Sequence, residues 1–445
     1  MGQDFKMSSY VSLVDLLTDP IYRGPIWGAL FMSISASLMG AINVVRKKPL
    51  VSEMLSHACF PGVVLGTMMG AMFFTYSDTL AFIFILIGAS LFSLLSHVAF
   101  EKLIQNKLKS DVALCYLGAS FLGLGVLLAS FMQKSHVMWY SKIQVFFYGQ
   151  ASTMSDTHIW IYAGLSCIIA LFLILFYRPI RLVCFDPEYA RSIGIQSKGI
   201  LIIQSTLLTL SIVVGIRSVG IVLMTGMLIA PCIAARYLTS RFSVYLVVSL
   251  IFGVVSTLCG NILAINWPFA LSGSHFVPTG PTTVIVASTM AFIVMLLSPK
   301  KGLLGRYLRR RNFQKRCLRE NILKAFWKKE KKSSFSEVYK WNLAPSSLVK
   351  ATLKKLTHQG FIDKRAKVLT LTEDGRKKAA YIVRLHRLWE LYLAEHLEYS
   401  PEDIHKNAEE IEHLITPEIE EKLTRLLANP QLDPHNKPIP QKELI

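Results

Sequence analysis

Residues 51–74 read VSEMLSHACFPGVVLGTMMGAMFF, a run dominated by apolar side chains whose only acid is Glu53 and whose only histidine is His57. A helix needs about 20 such residues to cross a bilayer, so this run is long enough to span one. Similar runs recur between Pro25 and Leu297, and none follows Ser298. The first part of the chain is therefore predicted to be an all-α polytopic membrane bundle.

Eight or nine membrane helices are expected, because the 199–238 stretch reads either as two helices around Arg217 or as one broken helix. Lys and Arg concentrate in alternate loops, for example at Lys300 and Lys301, which places the C-terminal end in the cytoplasm by the positive-inside rule. The predicted spans are 25–45, 51–74, 80–100, 112–132, 158–177, 199–219, 221–238, 243–265 and 276–298.

Charge divides the rest of the chain into a basic block and an acidic block. Residues 300–378 hold 24 Lys and Arg against 6 Asp and Glu, whereas residues 379–445 hold 7 against 13. A basic segment followed by an acidic one predicts polyanion binding next to a cation site. For residues 300–311 a positive-inside flank of the last membrane helix explains the charge fully, but it explains much less of the charge at 340–378.

The basic block has the pattern of a DNA-binding module. After a basic linker at 300–315, helix-sized segments lead to a helix from about 345 to 358, and KRAKVLTLT (364–372) alternates like a hairpin strand. This order predicts a winged helix-turn-helix over 316–378. A solvated basic helix is the alternative. The residues expected to contact phosphates or base edges are Ser346, Ser347, Lys350, Lys354, Lys355 and Arg365.

The acidic block places histidines and carboxylates one helical turn apart. His386 and Glu390 are spaced i,i+4, as are His405 and Glu409, and Glu412 and His413 follow Glu409 at i+3 and i+4. Residues at these spacings share a helix face. Imidazole and carboxylate without thiolate suit Mn(II) or Fe(II), with Zn(II) less favoured. Chance spacing in charged helices explains any one pair, but explains this number of pairs poorly.

Two features of the membrane part are candidates for transport chemistry. Glu53 and His57 share a helix face, and ionisable side chains inside a membrane helix are expensive unless they line a pathway. Alternatively, Glu53 lies at headgroup level and His57 is hydrogen-bonded inside the bundle. The inner loop 184–195, CFDPEYARSIGI, predicts a short helix at the cytoplasmic face. Such a helix either docks on a motor subunit or is an ordinary interfacial helix.

Five motifs of the membrane part resemble the permeases of ABC importers for manganese, zinc and iron. The resemblance implies a metal pathway at Glu53 and His57, although Asp is usual at the position of Glu53. It also implies an ATPase-coupling helix formed by Asp186, Pro187, Glu188, Ala190, Arg191 and Gly194. The motifs are SEMLSHACFPG (52–62), DVALCYLGASFLGLGVLL (111–128), FFYGQ (146–150), FDPEYARSIGI (185–195) and VGIVLMTGMLIAPCIAAR (219–236).

The segment 316–440 resembles the DtxR/MntR metal-dependent repressors. The resemblance makes 379–445 a helical metal-binding and dimerisation domain. The acidic or Met ligands of that family's first helix have no clear match in RCLRENILKAF (316–326), whose only acid is Glu320. The matching stretches are SSFSEVYKWNLAPSSLVKATLKKLTHQGFI (333–362), LTEDGRKKA (371–379), RLHRLWELYL (384–393), HKNAEEIEHLI (405–415) and DPHNKPIP (433–440). The implied metal residues are His386, Glu409, Glu412 and His413, with Glu390 and His405 at a second site.

The order of parts resembles the fused permease–repressor proteins of the chlamydiae. It implies a permease domain at 1–299 in the inner membrane and a cytoplasmic repressor that turns off transcription when a divalent metal binds. The chain has no GxxxxGK[ST] motif, so it is not expected to hydrolyse ATP or to be an enzyme. The implied partners are an ABC ATPase, an extracytoplasmic metal-binding protein, a second permease subunit, operator DNA and a second C-terminal domain.

Two other interpretations of the C-terminal part stay open. It could be a cytoplasmic gate that inhibits the permease when metal is plentiful, without binding DNA, or its metal sites could be vestigial. The composition of the basic linker at 300–315 predicts an exposed, flexible segment. Proteolysis there would release a repressor from the membrane.

Overall fold

The chain forms two compact units, Met1–Gly305 and Arg306–Ile445. The computed structural model describes residues 18–73, 78–135, 140, 143–144, 146, 149, 154, 156–270, 277–329, 333–341, 343–365, 368–396, 408–409 and 411–441.

The first unit is a helical bundle. Among its described residues, eight helices are long and apolar enough to cross a membrane, and a ninth apolar helix is shorter. The expected eight or nine membrane helices are therefore confirmed. The helices are α1 (Pro20–Val45), α2 (Leu50–Phe73), α3 (Asp78–Gln105), α4 (Ser110–Ser135), α5 (Asp156–Leu175), α6 (Tyr177–Phe185), α7 (Pro187–Ser192), α8 (Ser197–Val219), α9 (Ile221–Leu238), α10 (Phe242–Ala270) and α11 (Thr279–Leu297).

The short helix α9 is the centre of this bundle. Met224 and Leu228 on α9 are fully buried, and the helix packs against α1, α10 and α11. Gly220, with a φ of +92°, separates α8 from α9, so the 199–238 stretch is two helices. A Cβ at Gly40 of α1 would overlap the carbonyl oxygen of Leu228. The two backbones therefore approach so closely that only glycine fits at position 40.

The second unit begins with a long helix and a small winged module. In chain order it comprises α12 (Leu303–Lys329), β1 (Ser333–Ser334), α13 (Phe335–Lys340), α14 (Ser346–His358), β2 (Ile362–Arg365), β3 (Val368–Leu371), α15 (Glu373–His396), a 3₁₀ turn (Glu412–Leu414) and α16 (Pro417–Leu426). The strands form an antiparallel sheet in the order β1-β3-β2.

Local sequence explains how the winged module folds. Ser334 and Glu337 form a reciprocal capping box that starts α13. Gly360, with a φ of +77°, ends α14 and turns the chain into β2. The apolar faces of α12, α14 and α15 close over the sheet and bury Ile322, Phe326, Val349, Leu353, Leu356, Ile362, Leu369 and Ile382.

Two predicted boundaries fall inside helices. The segment 300–315, expected to be a linker, is helical from Leu303, because α12 runs without a break to Lys329. The expected boundary at 378 lies within α15. The division into domains at 299, 315 and 378 stays a prediction. The sequence also predicts a helix over 401–414. Most of that segment lies outside the described residues, and residues 412–414 form a 3₁₀ turn.

Candidate metal centre and nucleic-acid interface

Helix α15 contributes the first two side chains of the candidate metal centre. His386 and Glu390 are one turn apart on its buried face, with relative exposures of 3% and 2%. His386 Nε2 lies 3.0 Å from Glu390 Oε1. The predicted i,i+4 pair is therefore present, and both side chains are removed from solvent.

The 3₁₀ turn brings Glu412 and His413 to this pair. Glu412 Oε2 lies 2.5 Å from His386 Nδ1, and its other oxygen, Oε1, lies 3.8 Å from His413 Nε2. Glu412 and His413 are both buried. Four of the six predicted metal residues, from two elements distant in sequence, thus form one cluster: His386, Glu390, Glu412 and His413.

Helix α12 supplies an acid that the sequence interpretation left without a role. Glu320 Oε2 lies 2.6 Å from His413 Nδ1, and its Oε1 accepts a hydrogen bond of 2.8 Å from Arg316 Nε. The only signal for it in the sequence was that it is the one acid between residues 316 and 326. A carboxylate at the far nitrogen of a histidine fixes the orientation and tautomer of the imidazole ring.

The same face of α12 brings a lysine into the cluster. Lys324 is 5% exposed, and its Nζ donates a 2.7 Å hydrogen bond to Glu412 Oε2 and lies 3.1 Å from His386 Nδ1. Nothing in the sequence interpretation singled out Lys324. The cluster therefore contains a fixed positive charge among its carboxylates.

Burial and pairing act in opposite directions on the titrating groups. Burial raises the pKa of Glu412, but hydrogen bonds and charges from His386 and Lys324 outweigh it, so the pKa is lowered. Burial lowers the pKa of His386, yet its hydrogen bonds to Glu390 and Glu412 outweigh burial and raise it. The pKa of Glu320 is lowered because His413 and Arg316 together outweigh burial. The carboxylates are thus held in the charged form that a cation requires.

The remaining two predicted metal residues lie differently. Glu409 is exposed, one turn before Glu412, and its charge acts on Lys328 of α12. His405 lies outside the described residues. No three His, Cys, Asp or Glu side chains in the described ranges are arranged to hold a metal ion without rearrangement. The clustered side chains bind one another instead.

Two buried atoms nevertheless fit a metal. Glu412 Oε1 and His413 Nε2 have no hydrogen-bond partner in the described part of the chain. Their separation of 3.8 Å is close to the roughly 3–3.5 Å between neighbouring ligands of one ion, given bonds of about 2.1 Å. Buried polar atoms are usually satisfied, so this open pair matches the residue types expected around a divalent ion.

In the membrane unit, Glu53 and His57 share one face of α2. Glu53 is exposed on the surface of the unit, whereas His57 is half-buried beside α4, where a Cβ at Gly118 would lie 3.7 Å from its Nδ1. Ser56 Oγ donates a 3.0 Å hydrogen bond to the Ile221 carbonyl oxygen, which joins α2 to the start of α9. The pair therefore borders the central helix, with its carboxylate unburied.

The loop expected to carry a short helix contains one. Asp186 caps α7 by accepting a 3.0 Å hydrogen bond from Tyr189 N, and Pro187 is its first residue. Ala190 is fully buried, whereas Tyr189 is 54% exposed. Helix α7 thus packs on the unit through Ala190 and leaves an aromatic residue at its surface. Gly194, with a φ of +81°, ends the turn.

The predicted DNA-contacting residues lie on exposed parts of α14 and β2. Leu348 on α14 is 44% exposed, because the core receives Val349, Leu353 and Leu356 instead. Arg365 at the end of β2 pairs with Asp363 at 2.9 Å. The residues found exposed are Ser346, Ser347, Lys350, Lys354, Lys355 and Arg365.

Comparison with known proteins agrees with this arrangement. Residues 19–298 match the ABC 3 transport family, and residues 372–441 match "Iron dependent repressor, metal binding and dimerisation domain". The first match covers more than half of the chain, so the chain belongs to the ABC 3 transport family. It is a multi-pass protein of the inner membrane that carries a cytoplasmic repressor-type domain after its last membrane helix.

Individual relatives cover one or both parts. A "Probable metal transport system membrane protein" from Chlamydia trachomatis serovar D is 32% identical over 96% of this chain and 98% of its own length. The "Manganese transport system membrane protein MntC" of Bacillus subtilis is 28% identical, with 83% of each chain covered. The solved structure "PsaBC from Streptococcus pneumoniae in complex with Fab" is 26% identical, with a TM-score of 0.56 over 67% of this chain and 98% of that chain.

Proposed function

We propose that the membrane unit is the permease subunit of an ATP-driven importer whose substrate is Mn(II), with Fe(II) or Zn(II) as alternatives. Family membership supports transport, and the Bacillus subtilis relative is named for manganese. Since the sequence contains no phosphate-binding loop, ATP hydrolysis falls to a separate ATPase. An extracytoplasmic metal-binding protein would deliver the ion.

In this proposal Glu53 and His57 bind the ion transiently on its way through the membrane. A carboxylate and an imidazole one turn apart are suitable ligands for a divalent ion. Because Glu53 is exposed on the single unit, a second permease subunit, identical or homologous, would cover it and complete the pathway. The exposed side of α7, including Tyr189, Glu188 and Arg191, would receive the ATPase.

We further propose that the second unit is a metal-responsive transcriptional repressor. The observation that carries this proposal is the open pair of Glu412 Oε1 and His413 Nε2, both buried and 3.8 Å apart. These two side chains would hold the ion, with Glu320 orienting His413, and with His386, Glu390, Glu409 and His405 as further donors. A bound divalent ion supplies positive charge to a cluster of carboxylates. Residues of α15 and the 3₁₀ turn would then stabilise a dimer that presents two α14 helices to operator DNA.

The test follows DNA binding by the full-length protein in lipid nanodiscs. Mn(II), Fe(II) or Zn(II) is titrated while binding to the promoter of the chain's own operon is recorded. We expect metal-dependent binding that His413→Ala abolishes and that the exposed-surface variant Lys422→Ala retains. Binding that ignores metal, or none with any metal, would contradict the repressor function.

One observation favours a second function for the same unit. Helix α12 begins six residues after α11 ends and carries Glu320 and Lys324 into the metal centre. Metal binding could therefore act on the permease directly, as a gate. Transport assays in DNA-free proteoliposomes distinguish the two functions, because only a gate makes His413→Ala import continue when internal metal is high.

Proteolytic release of the repressor is a related proposal. Leu303, Leu304, Tyr307 and Leu308 at the start of α12 are exposed, so a protease could reach this segment once the helix opens locally. A blot of membrane and soluble fractions against the C-terminal region tests this. A soluble fragment of the size of residues 306–445 supports release, and full-length protein confined to the membrane contradicts it.

A further inference from the structure

Helix α12 inserts Lys324 into the candidate metal centre through its core-facing side. Its neighbours Ile322, Leu323 and Phe326 are at most 3% exposed, so the packing of α12 determines where the lysine stem lies. Lysine is almost never fully buried unless it is paired. Here the partner is Glu412, at 2.7 Å and itself inaccessible to solvent.

The Lys324 ammonium contacts one carboxylate oxygen of Glu412, Oε2, and does not contact the other, Oε1. Glu412 Oε2 accepts hydrogen bonds from Lys324 Nζ and from His386 Nδ1, and Lys324 Nζ lies 3.1 Å from that same Nδ1. Glu412 Oε1, in contrast, has no hydrogen-bond partner among the described residues and faces His413 Nε2. Lys324 therefore occupies the cation position between Glu412 and His386, whereas the position between Glu412 and His413 is unoccupied by any described side chain.

We propose that Lys324 is a tethered competitor of the metal ion, which occupies the cation position between Glu412 Oε2 and His386 in the metal-free chain. The inference rests on the proposed metal-binding function of the second unit. Glu412 Oε1 and His413 Nε2 would be the first donors available to an ion, and His386 would become available only when the ammonium leaves. The covalent tether keeps this competitor at a fixed, high local concentration. Lys324 thus sets the metal concentration at which the unit responds.

A buried ion pair with a purely structural role is the alternative. Such a pair would stabilise the fold, and removing its cation would leave metal affinity unchanged or would weaken it by disordering Glu412. The two roles therefore predict opposite changes in metal binding, and a single substitution distinguishes them.

The experiment measures Mn(II) binding to the full-length protein in detergent, with free Mn(II) counted by electron paramagnetic resonance. Binding to the candidate metal centre of the second unit is defined as the Mn(II) binding that is lost in His413→Ala. We expect Lys324→Met, which keeps the aliphatic stem and removes the charge, to tighten this binding by about tenfold or more, the range typical of groups that touch metal ligands. The matched control Lys315→Met, exposed on the same helix and nine residues before Lys324, should change it by less than about threefold.

Each outcome decides the proposal. Unchanged or weaker binding in Lys324→Met overturns it while leaving the metal-sensing function intact. Binding seen only in Lys324→Met supports the competitor role and contradicts metal sensing by the natural chain. No His413-dependent binding in either protein overturns both. If thermal unfolding shows that Lys324→Met does not fold, Lys324→Gln is judged by the same criteria.

Discussion

Glu320 contacts His413 at Nδ1, the ring nitrogen that points away from Glu412. This geometry leaves His413 Nε2 directed at Glu412 Oε1, so Glu320 acts by orienting a ligand. Its other oxygen is held by Arg316, whose side chain is 54% exposed. Arg316 and Glu320 on α12 thus define the direction of the His413 imidazole ring on the 3₁₀ turn.

At this scale we expect Glu320→Gln to weaken metal binding by the second unit by about ten- to a hundredfold, because a neutral amide holds the imidazole less firmly. The control is Glu421→Gln, which removes an exposed ion pair with Arg425 of little energetic value. Titration of both full-length variants with Mn(II) makes the comparison. Equal affinities for the two variants would contradict an orienting role.

The cluster also predicts how stability depends on pH without metal. The pKa of Glu412 is lowered from its usual 4.5, so its contribution is present above that pH and is lost as pH falls through the lowered value. The pKa of His386 is raised from 6.5, so its contribution is complete below 6.5 and is lost as pH rises through the raised value. The cluster should therefore stabilise the unit most between these two pH values.

Thermal unfolding of the full-length protein with chelator, followed across this pH range, provides the measurement. Glu412→Gln should lose the decline on the acid side, whereas the exposed control Glu421→Gln should retain it. Parallel curves for the wild-type protein and Glu412→Gln would show that the pairing contributes no pH dependence.

At the scale of elements, α9 organises the membrane unit although it is shorter than its neighbours. Its contact with α1 requires Gly40, since any side chain there would overlap the Leu228 carbonyl oxygen. Helices of this kind pack through small residues because lipid provides no hydrophobic drive for their association.

Gly40→Ala should therefore destabilise the membrane unit by about 1–3 kcal/mol through overpacking. Gly164→Ala on α5 is the matched control, because a Cβ there has no atom within 4 Å. Thermal unfolding in detergent compares the variants. A change in Gly40→Ala no larger than in Gly164→Ala would show that α1 and α9 separate at little cost.

Helix α14 carries the expected DNA contacts. Lys354→Ala should weaken binding of DNA with little regard to sequence and lower the slope of log affinity against log salt by about one, since one phosphate contact is lost. Lys422→Ala on α16 is the exposed-lysine control. Salt titrations of promoter DNA binding in the presence of metal measure both, and an unchanged slope in Lys354→Ala would exclude a phosphate contact.

Elements and local pairs were predictable from the sequence to different degrees. Apolar runs predicted the spans, and i,i+4 spacing predicted the pair of His386 and Glu390, because both patterns are local. The roles of Glu320 and Lys324 depend on the packing of α12 against the 3₁₀ turn, some 90 residues away, which no local pattern encodes. Helix α12 itself begins earlier than expected, because a Lys- and Arg-rich segment reads as linker although both residues favour helices.

At the scale of the whole molecule, the two proposed functions would use different residues in different units. Glu53→Gln should reduce cellular metal uptake by about tenfold or more, because the pathway loses a charged ligand, and should leave metal-dependent DNA binding unchanged. Lys354→Ala should weaken DNA binding and leave uptake per transporter unchanged. Radiotracer or mass-spectrometric uptake and DNA binding, measured on the same pair of variants, test this separation. Loss of both activities in either variant would indicate that the units act as one.

The permease and the repressor-type unit belong to one polypeptide chain, and this covalent link has a consequence for regulation. Every copy of the transporter is made together with one copy of its own sensor. If the second unit represses its own operon as proposed, relief of repression raises the number of permease units and of repressor-type units in the same proportion. A metal-starved cell would then gain repressor-type units together with permease units. Once metal returns, the larger number of repressor-type units would limit excess uptake. Separate genes could drift from this ratio, whereas a single translated chain cannot.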